Sequence, residues 1–278
     1  MKIAALQMCS SMSSDENLKT IADGCARAAN DDVRYLQLPE MAVMFAEDHQ
    51  QLKSWVNSSA LNQTLDELAR LADAHSLYLH VGSMAYPGPD GKCFNRSFLF
   101  GPDGKIVSTY DKIHLFDADI AGDAPYRESD NFAPGEHAVL ASVDDFQLGF
   151  SICYDMRFPA LYGALRQAGA DIMAVPAAFT VPTGRAHWET LLRARAIETG
   201  SYVIAAAQSG LHANGRRTYG HSLIVSPWGE LISACTEGEG LLISALLDRK
   251  VIKETRMRVP TLANARDFSL SVNHNAAQ

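Results

Sequence analysis

Short apolar runs alternate along the chain with longer segments in which apolar residues recur three and four positions apart, the alternation that builds α/β layers. "KIAALQM" reads as a strand, and "SSDENLKTIADGCARAA" follows it with Ser and Asp ahead of helically spaced apolar residues, a capped helix start. "RYLQLPE" is the next strand, "ALNQTLDELARLADAH" the next helix and "LYLHVGS" a third strand. Hairpin-like pairs are expected around "GPDGK" and "SPWGE", each holding a Gly suited to positive φ. Farther on, "AVLASVDDFQLGFSI" gives two strands around an Asp-Asp turn, and "PALYGALRQAG" a helix with Pro159 in its first turn and Gly169 at its end. "ADIMAVPAA" is a strand of the buried type, "RAHWETLLRARAIETG" a helix closed by Gly200, and "YVIAAAQ" another strand. The last third adds "HSLIVSP", "ELISACT" and "LLISALL", then a short helix from about Asp248.

Strands outnumber helices too heavily for one doubly wound sheet. Two packed sheets with helices on the outer faces fit the ratio better. No Ser/Gly/Pro-rich linker and no fixed-period repeat interrupts the pattern, so one domain is expected over 1–270, followed by a frayed polar tail, "SVNHNAAQ", at 271–278.

Composition narrows the partners. The chain has 278 residues, 47% of them hydrophobic, and a formal net charge of -8, which argues against nucleic acid or an anionic membrane surface as a partner. The N-terminal apolar run is too short for a signal-peptide core, and no segment approaches the ~20 apolar residues of a spanning helix. The five cysteines, Cys9, Cys25, Cys93, Cys153 and Cys235, are odd in number and irregularly spaced, which fits neither a disulfide framework nor a CxxC metal site. A reducing, cytoplasmic compartment is expected.

Three apolar strands end abruptly on a chemically useful residue, where α/β sheets bind their ligands. They are Glu40 after "YLQLP", Lys112 in "TYDKIHLFD" and Cys153 after "LGFSI". Singly, each has an inert reading: a surface carboxylate, a solvated lysine, a buried thiol. Together they suffice for acyl transfer without metal or cofactor. A carboxylate can take the thiol proton, and an ammonium can stabilise charge on sulfur and on a tetrahedral oxyanion.

The ordered motifs "LPE", "YDKIHLFD" and "CYDMRFP" resemble those of the nitrilase superfamily of carbon-nitrogen hydrolases, and the similarity runs from "IAALQM" to beyond "HSLIVSPWGE". The resemblance implies an α/β fold, a four-layer αββα sandwich of two mixed sheets with helices outside. It implies Glu40 as general base, Lys112 as oxyanion stabiliser and Cys153 as nucleophile, with the backbone N–H of Tyr154 completing the oxyanion hole. A second glutamate common in the family matches Glu128 in "YRESDNFAPGE"; Glu136, in a turn-like "PGE", is the weaker candidate. The approach to Glu40 departs from the family's small apolar pattern by Arg34 and Gln37, which suggests an edge strand or an oligomer contact.

For the substrate, Arg157 lies four residues after the nucleophile and could meet a carboxylate or simply pair with Asp155. Phe179 and Thr180, after the next strand end, are expected to line the pocket. Trp188, Arg193, Arg195 and Glu198 fall at spacings typical of packing and ion pairs. "HLFDADIAG", "YRES" and "PAAFT" are most similar to the Nit branch, whose members act on deaminated glutathione or on α-ketoglutaramate. The first is favoured, with ammonia as the expected product; N-carbamoyl amino acids and nitriles are weaker alternatives. A cysteine-histidine hydrolase using His114, His137 or His187, a metal hydrolase and a non-catalytic binding protein are the competing classes. Family members usually associate, so a homodimer or larger homo-oligomer is expected.

Overall fold

The computed structural model describes residues 1–120 and 125–272, so positions 273–278 of the expected tail lie outside the described residues. The first half builds β1 (Lys2–Gln7), α1 (Ser14–Asn30), β2 (Tyr35–Gln37), α2 (His49–Val56), α3 (Ser59–His75), β3 (Tyr78–Pro87), β4 (Cys93–Phe100) and β5 (Ile106–Asp111). The second half builds β6 (Leu140–Val143), β7 (Phe146–Phe150), α4 (Pro159–Gln167), β8 (Ile172–Ala174), α5 (Val181–Thr199), β9 (Tyr202–Ala205), β10 (Leu223–Val225), β11 (Leu231–Ala234), β12 (Leu241–Leu246) and α6 (Arg249–Arg258). One sheet runs β12-β1-β2-β3-β4-β5, with Phe132–Ala133 also paired to β4; the other runs β11-β10-β9-β8-β7-β6. Each is mixed: β1, β2 and β3 are parallel, as are β7, β8 and β9, while the outer pairings are antiparallel.

Alternation along β1 shows how the layers stack. Ala4 and Leu6 join a core with Ile21 and Cys25 of α1 and Leu68 of α3. Ile3 and Ala5, one register step away, join the core of the second sheet, which continues through Leu165 of α4 and Leu192 of α5. A strand buried on both faces reads as a continuous apolar run, as β1 does. The order is therefore helices, sheet, sheet, helices, the four layers expected. Apolar contact on α1 recurs at helical spacing, and Ser13 caps it by accepting from the Glu16 N–H. Among the described residues no helix is long and apolar enough to cross a membrane.

The turn reading holds in more places than the motif count suggests. "GPDGK" occurs twice, at 88–92 between β3 and β4 and at 101–105 between β4 and β5; "SPWGE" joins β10 to β11. Gly200 closes α5 at φ +55, but that helix starts at Val181, four residues before the expected segment, because Thr180 and Pro182 open it. The helix α2 was not expected: only Leu52, Trp55 and Val56 of its eight residues are buried, too few to show a period.

The expected edge around Gln37 is a correction. β2 lies inside its sheet, between β1 and β3, and Gln37 is fully buried. Its Oε1 accepts from the Ala206 N–H of the facing sheet at 2.9 Å, so the polar side chain is a bridge between layers. Gln7 acts alike, accepting from the Ser222 N–H at 2.9 Å. Arg34, just before the strand, pairs with Asp144 at 3.2 Å on the surface.

The tightest approach between layers lies at Gly82, in the bulged part of β3. A Cβ there would stand 2.1 Å from the Leu38 carbonyl oxygen, 2.5 Å from that of Pro39 and 2.4 Å from Pro176 Cβ. The first two precede Glu40, and the Pro176 carbonyl accepts from the Cys153 N–H at 2.9 Å. Gly82→Ala is expected to cost about 1–3 kcal/mol in urea unfolding and to lower amide turnover by pushing these two segments apart. A variant matching the parent in both measurements would show that the approach is not limiting.

Candidate active site

The carboxyl ends of β2, β5 and β7 converge. Glu40 follows β2 through Leu38 and Pro39, in a turn whose next residue, Met41, has φ +53 and donates its N–H to Ser83 Oγ. Lys112 is the first residue past β5; its N–H donates to the Asn95 carbonyl of β4 at 3.0 Å. Cys153 follows β7 through Ser151 and Ile152 and has φ +47, a left-handed conformation uncommon for a side-chain-bearing residue and a mark of functional turns. Glu40, Lys112 and Cys153 retain 5%, 2% and 8% of their surface, so the three meet in a site nearly closed to solvent.

Their contacts form one network. Lys112 Nζ donates to Glu40 Oε1 at 2.8 Å and to Glu128 Oε2 at 2.8 Å. Asn95 Nδ2 donates to both carboxylates, to Glu40 Oε1 at 2.9 Å and Glu128 Oε1 at 3.0 Å. Glu40 Oε2 accepts from the Ala178 N–H at 2.8 Å, and Cys153 borders the same cavity as Glu40. Glu128 Oε2 also accepts from the Phe116 N–H at 2.7 Å. Of the two glutamates weighed for this place it is Glu128 that reaches Lys112, since Glu136 is exposed and borders a different cavity.

The charges set the protonation states. Burial pushes the Glu40 carboxyl upward, but Lys112, with the hydrogen bonds of Cys153 and Asn95, outweighs it and holds the group below the usual carboxylate range. Burial would lower the Lys112 ammonium, yet Glu128, Glu40 and the Cys153 sulfur raise it well above its ordinary value. Burial, then the charge of Glu40, push the Cys153 thiol well up, against the opposing pull of Lys112 and the Ala178 N–H. The resting site thus contains a charged Glu40 carboxylate, a charged ammonium and a neutral thiol.

A buried aspartate holds the turn that carries Cys153. Asp155 Oδ2 accepts from the Ile152 N–H at 2.8 Å and Tyr110 Oη at 2.6 Å; its Oδ1 accepts from the His114 N–H at 3.0 Å and lies 2.7 Å from His114 Nδ1. One carboxylate therefore ties the nucleophile turn to the loop after Lys112. It also corrects the alternative pairing of Arg157 with Asp155, whose oxygens are taken. Arg157 instead lies 3.3 Å from His187 Nδ1 and over the rings of Tyr154 and Phe179, at 5.9 and 5.3 Å. The histidine alternatives fall away on geometry: His114 is bound to Asp155 and stacked on Phe158 at 3.6 Å, His187 meets Arg157, and His137 is exposed.

Cys153 borders two cavities. One, about 400 Å³, holds Glu40, Lys112 and Glu128 and extends past Phe45 to Arg216. The other, about 20 Å³, is bordered by Tyr154, Arg157, Phe179 and Thr180, so the expected binding residues do share one wall. The Thr180 hydroxyl bonds that of Thr183 at 2.7 Å at the start of α5. On that helix Arg193 pairs with Glu189, Arg195 with Glu198, and Trp188 is buried, the packing roles expected. Asn95, Asp155, the Ala178 N–H and Arg216 were missed. A signal existed for Asn95: in "CFNRSFLF" the buried face Cys93, Asn95, Ser97, Leu99 is polar at its middle, where an apolar core face should not be.

The site is that of a cysteine-dependent acyl-transfer enzyme in a four-layer sandwich, and comparison with known proteins agrees. The chain belongs to the carbon-nitrogen hydrolase family, whose model matches residues 2–257. It is 39% identical over 273 residues to a deaminated glutathione amidase of Yersinia enterocolitica, covering 96% of this chain and 93% of that one. Among solved structures it is similar to Saccharomyces cerevisiae Nit3, a member of branch 10 of the nitrilase superfamily, with TM-score 0.83, 31% identity and 94% of each chain covered. It also resembles a mutant of an amidase from Nesterenkonia that shows the result of Michael addition of acrylamide at the active site cysteine, with TM-score 0.77, 25% identity, and 95% and 99% of the two chains covered.

Asp155→Asn is expected to destabilise the fold by about 2–4 kcal/mol, because an amide NH₂ then faces N–H or O–H donors that the carboxylate now accepts. Urea unfolding checks it; a loss under about 0.5 kcal/mol would mean that the turn is held by other contacts.

Proposed function

We propose that this chain hydrolyses a linear, carboxylate-bearing amide through a thioester on Cys153, and that deaminated glutathione is the substrate. The observation that carries the reading is that Cys153, Glu40 and Lys112, all buried, line one cavity, with Lys112 Nζ bonded to Glu40 Oε1 at 2.8 Å. The named activity of the Yersinia relative supports the choice of amide.

With the thiol neutral at rest, sulfur attacks the amide carbonyl as its proton passes to Glu40, a general-base step rather than attack by a stored thiolate. The developing oxyanion is stabilised by Lys112 Nζ and the Tyr154 N–H. Collapse breaks the C–N bond, and the proton on Glu40 goes to the departing amine. Water, deprotonated by Glu40, then attacks the thioester; the acid leaves and the proton returns to sulfur. Glu128 and Asn95 act by position, holding Lys112 and Glu40 in register. Arg157, Phe179 and Thr180 border the reacting carbonyl from the smaller cavity, which has room for about one water.

The chemistry of this substrate corrects one expectation. Deaminated glutathione contains no primary amide, so cleavage at its ketoglutaryl carbonyl releases cysteinylglycine, not ammonia. Ammonia is the product from α-ketoglutaramate, and product analysis separates the two. The chain is further proposed to act as a single domain over 1–270, as a homodimer, in the cytoplasm, where its five free cysteines stay reduced.

Cys153→Ser is expected to lower turnover by about 10³-fold or more while deaminated glutathione still binds. In wild-type enzyme, kcat/KM is expected to fall only below the usual glutamate value of about 4.3 and only above the usual thiol value of about 8.5. The sign follows from Glu40 being held low and Cys153 held high: one must be ionised and the other protonated at the start. An acid limb centred near pH 7 would remove Glu40 from the base role; release of ammonia but no cysteinylglycine would favour the α-ketoglutaramate reading.

A further inference from the structure

The two cavities that share Cys153 differ in charge as well as size. The smaller, about 20 Å³, has room for about one water, so the bulk of an extended amide on both sides of its scissile bond lies in the larger. Beside the thiol, the larger cavity presents two carboxylates to one ammonium, so a substrate carboxylate is repelled from its floor and can be held only where a cation stands clear of Glu40 and Glu128.

Arg216 is that cation. It sits in the loop between the paired segments Ser209–Leu211 and Arg217–Tyr219, on the wall of the larger cavity. Its guanidinium lies over the rings of Phe45 at 4.8 Å and Tyr126 at 5.5 Å, an arrangement that limits where the planar fork can point. Arg127, on the same wall, is already bound to Asp119 at 2.7 Å, whereas among the described residues no carboxylate pairs with the guanidinium of Arg216. A planar fork with no carboxylate partner among the described residues, on the wall of a cavity whose floor sets two carboxylates against one ammonium, matches a bidentate carboxylate.

We propose that Arg216 binds the carboxylate of the leaving half, and so selects amides whose amine part is an amino acid or short peptide over those that release ammonia. The assignment rests on the function proposed above. Two extended residues span about 7 Å, so a dipeptide can follow the cavity outward from the scissile bond, a reach that ammonia lacks.

The test compares deaminated glutathione with its C-terminal carboxamide, in wild type, Arg216→Leu and Arg216→Lys. Wild type is expected to prefer the carboxylate by about 10- to 100-fold in kcat/KM, mostly through KM. The preference collapses to within about twofold in Arg216→Leu and is intermediate in Arg216→Lys, which keeps the charge and loses the fork. Equal losses on both substrates, or no wild-type preference, overturn the assignment and leave the function standing, since a residue that only braces Phe45 affects both alike. Failure of wild type to cleave deaminated glutathione at all overturns the proposed function, and this assignment with it.

Discussion

Everything in this site depends on one ammonium buried between two carboxylates. At 2.8 Å each contact of Lys112 is worth about 6 kcal/mol of Coulomb attraction at an effective dielectric of about 20, before the several kcal/mol per ion that desolvation costs. Such a trio is weak evidence for stability and strong evidence for arrangement. Burial and then the charge of Glu40 keep the neighbouring thiol protonated, and the charge and hydrogen bond of Lys112 keep Glu40 ionised despite burial. Without the ammonium the two carboxylates repel, and Glu40 loses the charge that offsets its burial.

The supporting structure makes that trio possible by placing its parts on different elements of the sandwich. β2 and β5 contribute from one sheet, β7 and the segment after β8 from the other, and buried amides such as Gln37 and Gln7 fix how the sheets face one another. Gly82 lets the layers close to backbone contact beside the site. Asp155 then couples the nucleophile turn to the lysine loop through four donors. Each device solves the same problem, which is to hold groups from distant parts of the chain within hydrogen-bond reach.

The division between what was legible in the sequence and what was not follows from this. Glu40, Lys112 and Cys153 were legible because each interrupts an apolar strand, and the hairpins and Gly200 because turn chemistry is local. Gln37 misled because a polar residue in a strand looks like an edge until its partner, Ala206, is known to lie 169 positions away. The true partners of Asp155 and Arg157 were hidden for the same reason, and Arg157 found a histidine 30 positions on. Asn95 alone left a readable trace, through the polar middle of its strand face.

Glu40 and Cys153 stand on separate sheets, so the site is a property of the interface between them. The first sheet alone brings Glu40 and Lys112 together without Cys153, and the second alone holds Cys153 without either. Neither half can attack an amide, and nothing short of the docked sandwich brings Ala178 within reach of Glu40. The site therefore exists only where the two sheets face each other, and depends on the packing between them as much as on either sheet.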